Sequence, residues 1–276
     1  MKNLAQRLWS SSPKSLTAAV SRRYRERGDK PGWHTVAAGP LASAKLYLAT
    51  VREGGLREMR DGTFDQFFYD ELSKHVDLKG KVCWEIGAHI GYHALSFAAL
   101  GAEVLAFEPN EHNARAIKVH LERNPELGKH IRLLTVAVAD QVGEMSFAQS
   151  DDMTGASSGS HLQAGIQPLE DYEAFATVKV PVTTIDTVIQ GGERKPDVIK
   201  IDVEGAEALV LRGGKELLQT HRPLLLMEVH HILLMMEVQA LLRDFGYELR
   251  SLDDGHTTAS RCFIIASPSR SQHKLP

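Results

Sequence analysis

Two short segments combine glycines with acidic side chains in a way that suits the binding of a nucleoside. The first, EIGAHIG, runs from Glu85 to Gly91 between an apolar run and a helix-like stretch. The second, FEPN, carries Glu108 and Asn110 at the end of the next apolar run, and Glu108 follows Gly87 by 21 residues. In nucleotide-binding α/β folds, an acidic side chain at about this spacing accepts hydrogen bonds from the ribose hydroxyls. The two segments therefore predict a nucleoside site with Glu108 on the ribose.

The glycine pattern of the first segment indicates which nucleoside binds. A dinucleotide fingerprint, GxGxxG, needs its second glycine so that the backbone can approach a pyrophosphate. His89 stands at that place, and a β-carbon there is easier to accommodate beside a ligand without a pyrophosphate. S-adenosyl-L-methionine (SAM) is such a ligand, and Glu85 could bind the ammonium group of its methionine moiety. An NAD(P)-dependent oxidoreductase shares both segments and stays an alternative, as does a turn with a purely structural role.

A third segment, IKIDVEGAE, brings three carboxylates to the end of a buried strand. Asp202 is expected to emerge at the carboxyl edge of the sheet, where open α/β folds bind ligands. Glu204 is placed to interact with the N-terminus of the next helix. For Glu207, a position in the first turn of that helix explains the residue without any chemical role.

The elements that position these segments alternate from about residue 80 onward. The predicted strands are Val82–Ile86, Val104–Phe107, Ile131–Ala137, Val198–Ile201, Leu224–Val229, Tyr247–Leu252 and Cys262–Ala266. The predicted helices are Phe64–Val76, Tyr92–Leu100, Glu111–Arg123, Ala206–Leu218 with a Gly-Gly break, and Ile232–Phe245. Continuous apolar strands alternating with helices predict an α/β fold whose mostly parallel sheet is covered on both faces. The short link between the last two strands predicts an antiparallel pair.

Composition narrows the class of protein. The chain has 276 residues, of which 43% are hydrophobic, enough to form a sizeable core. Two cysteines, Cys83 and Cys262, exclude a disulfide framework and a structural zinc site on count alone. The apolar runs are too short to span a membrane. We therefore expect a cytoplasmic protein.

Charge and composition divide the chain into segments. Residues 1–32 are expected to form a basic arm, because eight Lys or Arg side chains against two acidic ones give residues 1–30 a net charge of +6. An organelle-targeting peptide or a basic helix on an anionic surface would look similar. Residues 33–78 are expected to pack on a domain of residues 79–268 that carries an insertion at 141–185, followed by a tail at 269–276.

Taken together, these segments resemble the FkbM-type SAM-dependent methyltransferases. The resemblance rests on WHTVAAGPL, EIGAHIGYHAL, AFEPN, VAVAD, IKIDVEGAE followed by VLRGG, and PLLLMEVHH, and it spans residues ~33–268. It implies a class I methyltransferase fold, a Rossmann-like sheet of seven strands with the last one antiparallel. It also implies methyl transfer to a hydroxyl of a sugar, polyketide or similar molecule, with S-adenosyl-L-homocysteine as product. The family more often carries Asn where this chain has His89.

The resemblance also implies roles for individual residues. It places SAM on Glu85, Gly87, Ala88 and Gly91, the ribose on Glu108 and Asn110, and the adenine near Val138 to Asp140. It places Asp202 closest to the sulfonium. Met59 to Phe64 is a candidate for closing over the cofactor.

A hydroxyl acceptor must lose its proton, so a general base is expected beside the methyl donor. The candidates at the sheet edge are Asp202, Glu204, Glu228, His230 and His231. Among them His230 ranks first, because imidazole titrates nearest neutral pH, followed by Asp202 and then Glu204. One Mg²⁺ on Asp202 with Glu228 or His230 is an alternative that the sequence does not require, and no metal ligand is assigned.

The remaining alternatives concern function class. A non-catalytic SAM- or nucleotide-binding module would keep the cofactor residues without a base. A nucleic-acid acceptor is not expected, because residues 31–276 carry a net charge of −9. We expect a small-molecule or glycan acceptor that contacts the insertion and the N-terminal segment, and the basic arm is a candidate for contact with an anionic surface.

Overall fold

The computed structural model describes residues 31–48, 54–149, 160–165, 176–252 and 261–269. Residues 1–30 of the predicted basic arm, residues 150–159 and 166–175 of the predicted insertion, and the link between the last two predicted strands lie outside these ranges. Among the described residues, no helix is both long and apolar enough to cross a membrane.

The described residues form thirteen strands and nine helices. The strands are β1 (Gly32–Thr35), β2 (Lys45–Leu48), β3 (Val82–Ile86), β4 (Glu103–Phe107), β5 (Ile131–Leu134), β6 (Ala137–Val138), β7 (Gly143–Gln149), β8 (His161–Leu162), β9 (Ala176–Thr183), β10 (Val198–Ile201), β11 (Leu224–Val229), β12 (Tyr247–Leu252) and β13 (Cys262–Pro268). The helices are α1 (Gly55–Asp61), α2 (Gln66–Leu72), α3 (Tyr92–Ala99), α4 (Glu111–Arg123), α5 (Pro125–Gly128), α6 (Ile185–Gln190), α7 (Glu207–Gly213), α8 (Lys215–Thr220) and α9 (Ile232–Asp244).

A seven-stranded sheet in the order β12-β13-β11-β10-β3-β4-β5 forms the centre of the molecule. Its first five strands along the chain run parallel, and β13 is antiparallel to both of its neighbours. Both faces of β3 and β10 are buried, which explains why their sequences are apolar without alternation. The expected α/β architecture with a mixed sheet of seven strands is therefore confirmed, and so is the antiparallel last pair.

The position of β3 in this sheet locates the ligand edge. The chain continues from β3 to β4 on one side, and β10 pairs with β3 on the other side. A strand flanked in this way is a topological switch point, and open α/β sheets bind ligands in the crevice outside the carboxyl ends of such strands. The three acidic segments predicted from the sequence follow β3, β4 and β10, so the fold brings them to one edge.

The predicted length of the third strand, Ile131–Ala137, was wrong. Only Ile131–Leu134 pairs with β4 in the central sheet. The chain then leaves this sheet, and Ala137–Val138 pairs in parallel with β9. Within the insertion, Gly143–Gln149 and Ala176–Thr183 form an antiparallel pair, β7 and β9. Together with β6 and β8 they build a second, four-stranded sheet that the sequence pattern did not predict.

The predicted docking helix is shorter than expected but contacts the core as expected. It spans Gln66–Leu72 rather than Phe64–Val76. Phe68 and Leu72 are buried, and Phe64 and Phe67 pack against the same apolar cluster.

A hairpin of β1 and β2, absent from the sequence prediction, joins the N-terminal segment to the glycine turn after β3. The Tyr47 backbone N–H donates to Nε2 of His120 at 2.9 Å, and Nδ1 of His120 lies 2.9 Å from the Ile90 carbonyl oxygen. Since Nε2 accepts, Nδ1 carries the proton and donates to Ile90. His120 is 1% exposed, so one buried imidazole connects the hairpin to the turn.

Candidate functional site

The glycine turn after β3 packs its backbone directly on neighbouring strand ends. The backbone N–H groups of Gly87 and Ala88 both donate to the Phe107 carbonyl oxygen at 3.0 Å. Gly87 has φ +87°, and a Cβ built on it would overlap the carbonyl oxygen of Asp202. Glycine is therefore required here, because a side chain would push the turn away from the end of β10. Gly91, with φ +86°, is the N-cap residue that precedes α3.

His89 occupies the centre of this turn with a left-handed backbone, at φ +51°. Asn, Asp and His are the non-glycine residues most often found in that conformation. This left-handed conformation explains why histidine is tolerated at a position where the family that the sequence resembles more often has Asn. The His89 N–H points at the next strand end and donates to Oε2 of Glu108 at 2.7 Å.

Glu108 holds the turn together as well as facing the ligand edge. Its Oε1 accepts from the Asn110 N–H at 2.9 Å and from Nδ2 of Asn113 at 3.3 Å, while Oε2 accepts from His89. Burial raises the pKa of Glu108 to about 7, although these hydrogen bonds lower it. A carboxylate offers about four acceptor positions, so three are occupied by these protein donors and one remains.

The other predicted ribose and adenine residues have different neighbours. Asn110 is fully buried and caps α4 by accepting from the His112 N–H at 2.8 Å, while its Nδ2 donates to Oγ of Ser160. Val138 is buried in the core cluster on the face of Ile86 and Phe107. Asp140 lies 3.7 Å from Nε of Arg212 in the last turn of α7. Among the described residues, no hydrogen bond joins Val138 or Asp140 to the glycine turn.

Glu85 is a buried carboxylate with an unused oxygen. It is 1% exposed, and its Oε2 has no hydrogen-bond partner. Burial raises its pKa to about 8, against the opposing effect of Lys200, its register partner on β10. A buried acceptor without a donor is costly, so this position suits a ligand that brings a donor.

Lys200 is a site residue that the sequence analysis missed. It is 1% exposed, and its Nζ donates to Oδ2 of Asp202 at 3.1 Å. Burial alone would lower the pKa of Lys200, but Asp202 and Glu85 raise it on balance above its ordinary value. A lysine between two isoleucines in a fully buried strand was the available signal, since such a charge needs partners.

Lys200 in turn keeps Asp202 ionised. Burial would raise the pKa of Asp202, but the charges of Lys200 and His230 outweigh it and hold the pKa at about 2. The side chain of Asp202 is 26% exposed. It therefore presents an ionised carboxylate at the carboxyl edge of β10, where the sequence predicted it.

His230, which directly follows β11, is surrounded by four carboxylates. We call His230 and these four side chains the acidic cluster. Its Nδ1 lies 2.9 Å from Oε1 of Glu207. The distances from Nε2 to the other three carboxylate oxygens are 3.3 Å (Glu228), 3.4 Å (Glu204) and 3.8 Å (Asp202). Burial would lower the pKa of His230, but these acidic groups raise it well above its ordinary value. These carboxylates thus favour the protonated form of the ring, which differs from the near-neutral base that the sequence suggested.

The carboxylates around His230 differ in their exposure to solvent. Glu207 is fully buried rather than a decoration of the helix start, and its Oε1 also accepts from the Gly205 N–H at 3.2 Å. The side chain of Glu204 is 21% exposed, and burial raises its pKa to about 7. Burial also raises the pKa of Glu228, whose Oε1 lies 3.4 Å from Nη1 of Arg261. His231 instead caps α9 by accepting from the Leu233 N–H.

Strained backbone marks the same edge. Six described non-glycine residues have positive φ, and three of them, His89, Glu204 and His231, follow the carboxyl ends of β3, β10 and β11. Residues held in such conformations cluster at functional sites. The strain therefore supports this edge as the candidate site.

A separate group of buried polar side chains lies where the N-terminal segment contacts α3. Nε2 of His93 lies 3.1 Å from Oδ2 of Asp65, and its Nδ1 lies 2.5 Å from the Tyr69 hydroxyl. Phe64 packs edge-on against Tyr92 at 5.4 Å between ring centroids. These contacts dock the segment before α2 on the start of α3, next to the glycine turn. These contacts were not predicted from the sequence, since His93 is 24 residues from Tyr69 and 28 residues from Asp65.

Comparison with known proteins gives this geometry a context. A family model described as the methyltransferase FkbM domain matches residues 85–249, a range that contains the glycine turn and the acidic cluster. The hexuronic acid methyltransferase AglP of Haloferax volcanii is 31% identical over 140 residues. That match covers 50% of this chain and 52% of AglP, so the chain spans about half the length of the curated relative it matches.

Solved structures resemble the chain more distantly. The methyltransferase FkbM from Methylobacillus flagellatus KT is 18% identical with a TM-score of 0.47, and the match covers 67% of this chain and 43% of that one. The magnesium protoporphyrin IX methyltransferase ChlM from Synechocystis PCC 6803, solved with bound SAM, is 12% identical with a TM-score of 0.47. That match covers 80% of this chain and 86% of ChlM.

Proposed function

Since the chain belongs to the FkbM methyltransferase family, we propose that it transfers the methyl group of SAM to a hydroxyl of a glycan or other small molecule. One observation carries the proposal. Gly87 packs on the backbone of Asp202, so the cofactor turn and the acidic cluster share one edge of the sheet. A methyl donor held by the turn would present its sulfonium to the side chains of the cluster. The antiparallel last strand and the order of the seven strands support a class I methyltransferase fold.

The described residues fit SAM at two points. The unpartnered Oε2 of Glu85 is buried, and the ammonium group of SAM is a donor whose positive charge would favour ionisation of this carboxyl. Glu108 keeps one acceptor position for a ribose hydroxyl beside its three protein donors. Gly87, Ala88 and Gly91 shape the turn between these two carboxylates. When bound, SAM supplies an electrophilic methyl carbon and leaves as S-adenosyl-L-homocysteine.

The chain's own contribution to the reaction is alignment and removal of a proton. The acceptor oxygen forms a bond to the methyl carbon as the carbon–sulfur bond breaks, and the hydroxyl proton must pass to a base. Alignment of the reacting atoms contributes up to ~7–11 kcal/mol in ideal cases, and a general base contributes ~10²–10⁴-fold.

Glu204 is the residue we assign as that base. Its carboxylate is 21% exposed, so an acceptor can reach it, and its one described contact is Nε2 of His230 at 3.4 Å. Asp202 is also accessible but receives the hydrogen bond of Lys200, which leaves it to face the sulfonium. His230 has carboxylates at both ring nitrogens, which leaves it no free nitrogen to receive the proton.

The acceptor class follows from the curated relative. AglP is described as a hexuronic acid methyltransferase, and this supports a sugar hydroxyl, with uronic acids first among the candidates. The test is incubation of the full chain with methyl-labelled SAM and a panel of uronic-acid glycosides, neutral glycosides and non-sugar alcohols. We expect a labelled methyl ether from at least one uronic-acid glycoside. Labelling of non-sugar alcohols alone would contradict the acceptor class, and absence of SAM binding would contradict the function.

A further inference from the structure

The acidic cluster contains a set of donor atoms that converge as metal ligands do. One ligand atom each from Asp202, Glu228 and His230 lies within 4.8 Å of the others. We propose that these three side chains bind a divalent transition-metal ion at the carboxyl ends of β10 and β11. Ion binding itself does not depend on the proposed function, although the position of the ion gives it a role there.

The distances around Nε2 of His230 are the first argument. The carboxylate oxygens of Glu228, Glu204 and Asp202 lie 3.3, 3.4 and 3.8 Å from this nitrogen. These distances exceed a normal N–H···O hydrogen bond, whose heavy atoms are about 2.7–3.2 Å apart. They match the separation of neighbouring ligands around a cation: bonds of about 2.1 Å give edges of about 3.0 Å in an octahedron and about 3.4 Å in a tetrahedron. The spacing of these atoms is therefore that of ligands around a shared cation.

The orientation of the imidazole is the second argument. Oε1 of Glu207 lies 2.9 Å from Nδ1, and Glu207 is fully buried. Metal-binding histidines nearly always donate their other ring N–H to a carboxylate, carbonyl or water, which fixes the tautomer that leaves the second nitrogen for the metal. Glu207 is such a partner, and the Gly205 N–H holds its carboxylate in place. A surface cluster of acids would not include this buried support.

The charge of the site is the third argument. Asp202, Glu204, Glu207 and Glu228 together carry four negative charges when ionised, and the imidazole that they share carries at most one positive charge. Lys200 pairs with Asp202, and Arg261 contacts Glu228 from a side chain that is 43% exposed. Buried carboxylates are normally paired or bound to metals. A divalent ion bound by Nε2 and these oxygens would reduce the remaining excess of negative charge.

The donor types select the class of ion. Mg²⁺ strongly prefers oxygen ligands and keeps several waters, whereas an imidazole nitrogen with two carboxylates suits Zn²⁺, Fe²⁺ or Mn²⁺ better. The site therefore fits a transition metal better than the Mg²⁺ considered from the sequence. An ion at this place would polarise an acceptor oxygen as a Lewis acid, and Glu204, which is not among the three ligands, would remain to receive the proton.

The test uses metal binding rather than activity. The full chain, freed of metal by a chelator, is titrated with Mn²⁺ and followed by electron paramagnetic resonance, and with Zn²⁺ and followed by calorimetry. We expect one equivalent of either ion to bind. Asp202→Asn and Glu228→Gln should each weaken binding at least tenfold, and Glu207→Gln should weaken it about 10–100-fold by loosening the imidazole. Glu237→Gln, on α9 beside Arg212, is the matched control and should bind metal as wild type.

Several outcomes would overturn the proposal. The proposal fails if the folded wild type binds neither ion at one equivalent, or if the Asp202, Glu228 and Glu207 variants bind as tightly as Glu237→Gln. Circular dichroism confirms folding for each protein, and His230→Gln replaces any ligand variant that does not fold. SAM affinity is measured on the same samples. Tight SAM binding without metal binding would refute the metal site alone, whereas metal binding without methyl transfer to any acceptor would refute only the proposed function.

Discussion

Replacing Glu85 by glutamine is expected to stabilise the ligand-free protein at alkaline pH and to flatten the pH dependence of its stability. Glu85 is 1% exposed, its Oε2 has no partner, and burial raises its pKa from 4.5 to about 8 despite Lys200. In the absence of a ligand, the ionised form of this carboxyl is therefore unfavourable in the folded state. Glutamine has nearly the same shape and carries no charge.

The sign follows from proton linkage. Between pH 4.5 and about 8 the unfolded chain releases the Glu85 proton while the folded chain keeps it. Because the folded state binds more protons in this window, the free energy of unfolding falls as the pH rises. One proton corresponds to about 1.4 kcal/mol per pH unit, so between about pH 5.5 and about pH 7.5 the wild type should lose roughly 2–3 kcal/mol more than Glu85→Gln.

The assay is urea unfolding of both proteins across that pH range without SAM. Other buried carboxyls contribute equally to both proteins, so the difference between the two slopes isolates Glu85. Glu144→Gln, an exposed glutamate on β7, is the control and should keep the wild-type slope. Equal slopes for Glu85→Gln and wild type would show that Glu85 is ionised throughout, and the burial argument would be refuted.

Three further predictions test the turn and the arm. Glu108→Gln should weaken SAM binding about 10–100-fold in calorimetry, because it removes a charged acceptor from the ribose and from the His89 N–H, whereas Glu111→Gln should bind as wild type. Gly87→Ala should lower the melting temperature by several degrees, because the added Cβ overlaps the Asp202 carbonyl oxygen, and an unchanged melting temperature would contradict that packing. Deleting residues 1–30 should leave both SAM affinity and melting temperature nearly unchanged, because this basic segment has no sustained apolar face; aggregation of the truncated protein would contradict this.

Sequence alone predicted the parts of the fold that depend on local pattern. Val82–Ile86, Glu111–Arg123, Leu224–Val229 and Tyr247–Leu252 have the predicted bounds, because each is a continuous or periodic apolar segment bounded by turn residues. The split of Ile131–Ala137 between two sheets could not be predicted this way. An apolar run does not specify its partner strand, and here β5 pairs with β4 whereas β6 pairs with β9.

For the site too, local pattern predicted some features, whereas others depend on tertiary contacts. Spacing along the chain was enough to predict that Asp202, Glu204 and His230 follow strands that end at one edge. It was not enough to show that Glu207 turns inward to His230, 23 residues away, or that Lys200 pairs with Asp202. Both contacts depend on which face of a strand or helix is buried, and this is decided by tertiary packing.

The most direct test of the account is the rate of methyl transfer by Glu204→Gln, measured in a single turnover with the acceptor that wild type methylates. We expect a rate ~10²–10⁴ times lower than wild type with unchanged SAM affinity, since Glu204 contacts His230 rather than the glycine turn. Glu237→Gln, an exposed variant on α9 that pairs with Arg212, should react at the wild-type rate. A wild-type rate for Glu204→Gln would contradict the assignment of the base, and failure of the wild type to methylate any hydroxyl while it binds SAM would contradict methyl transfer at this edge.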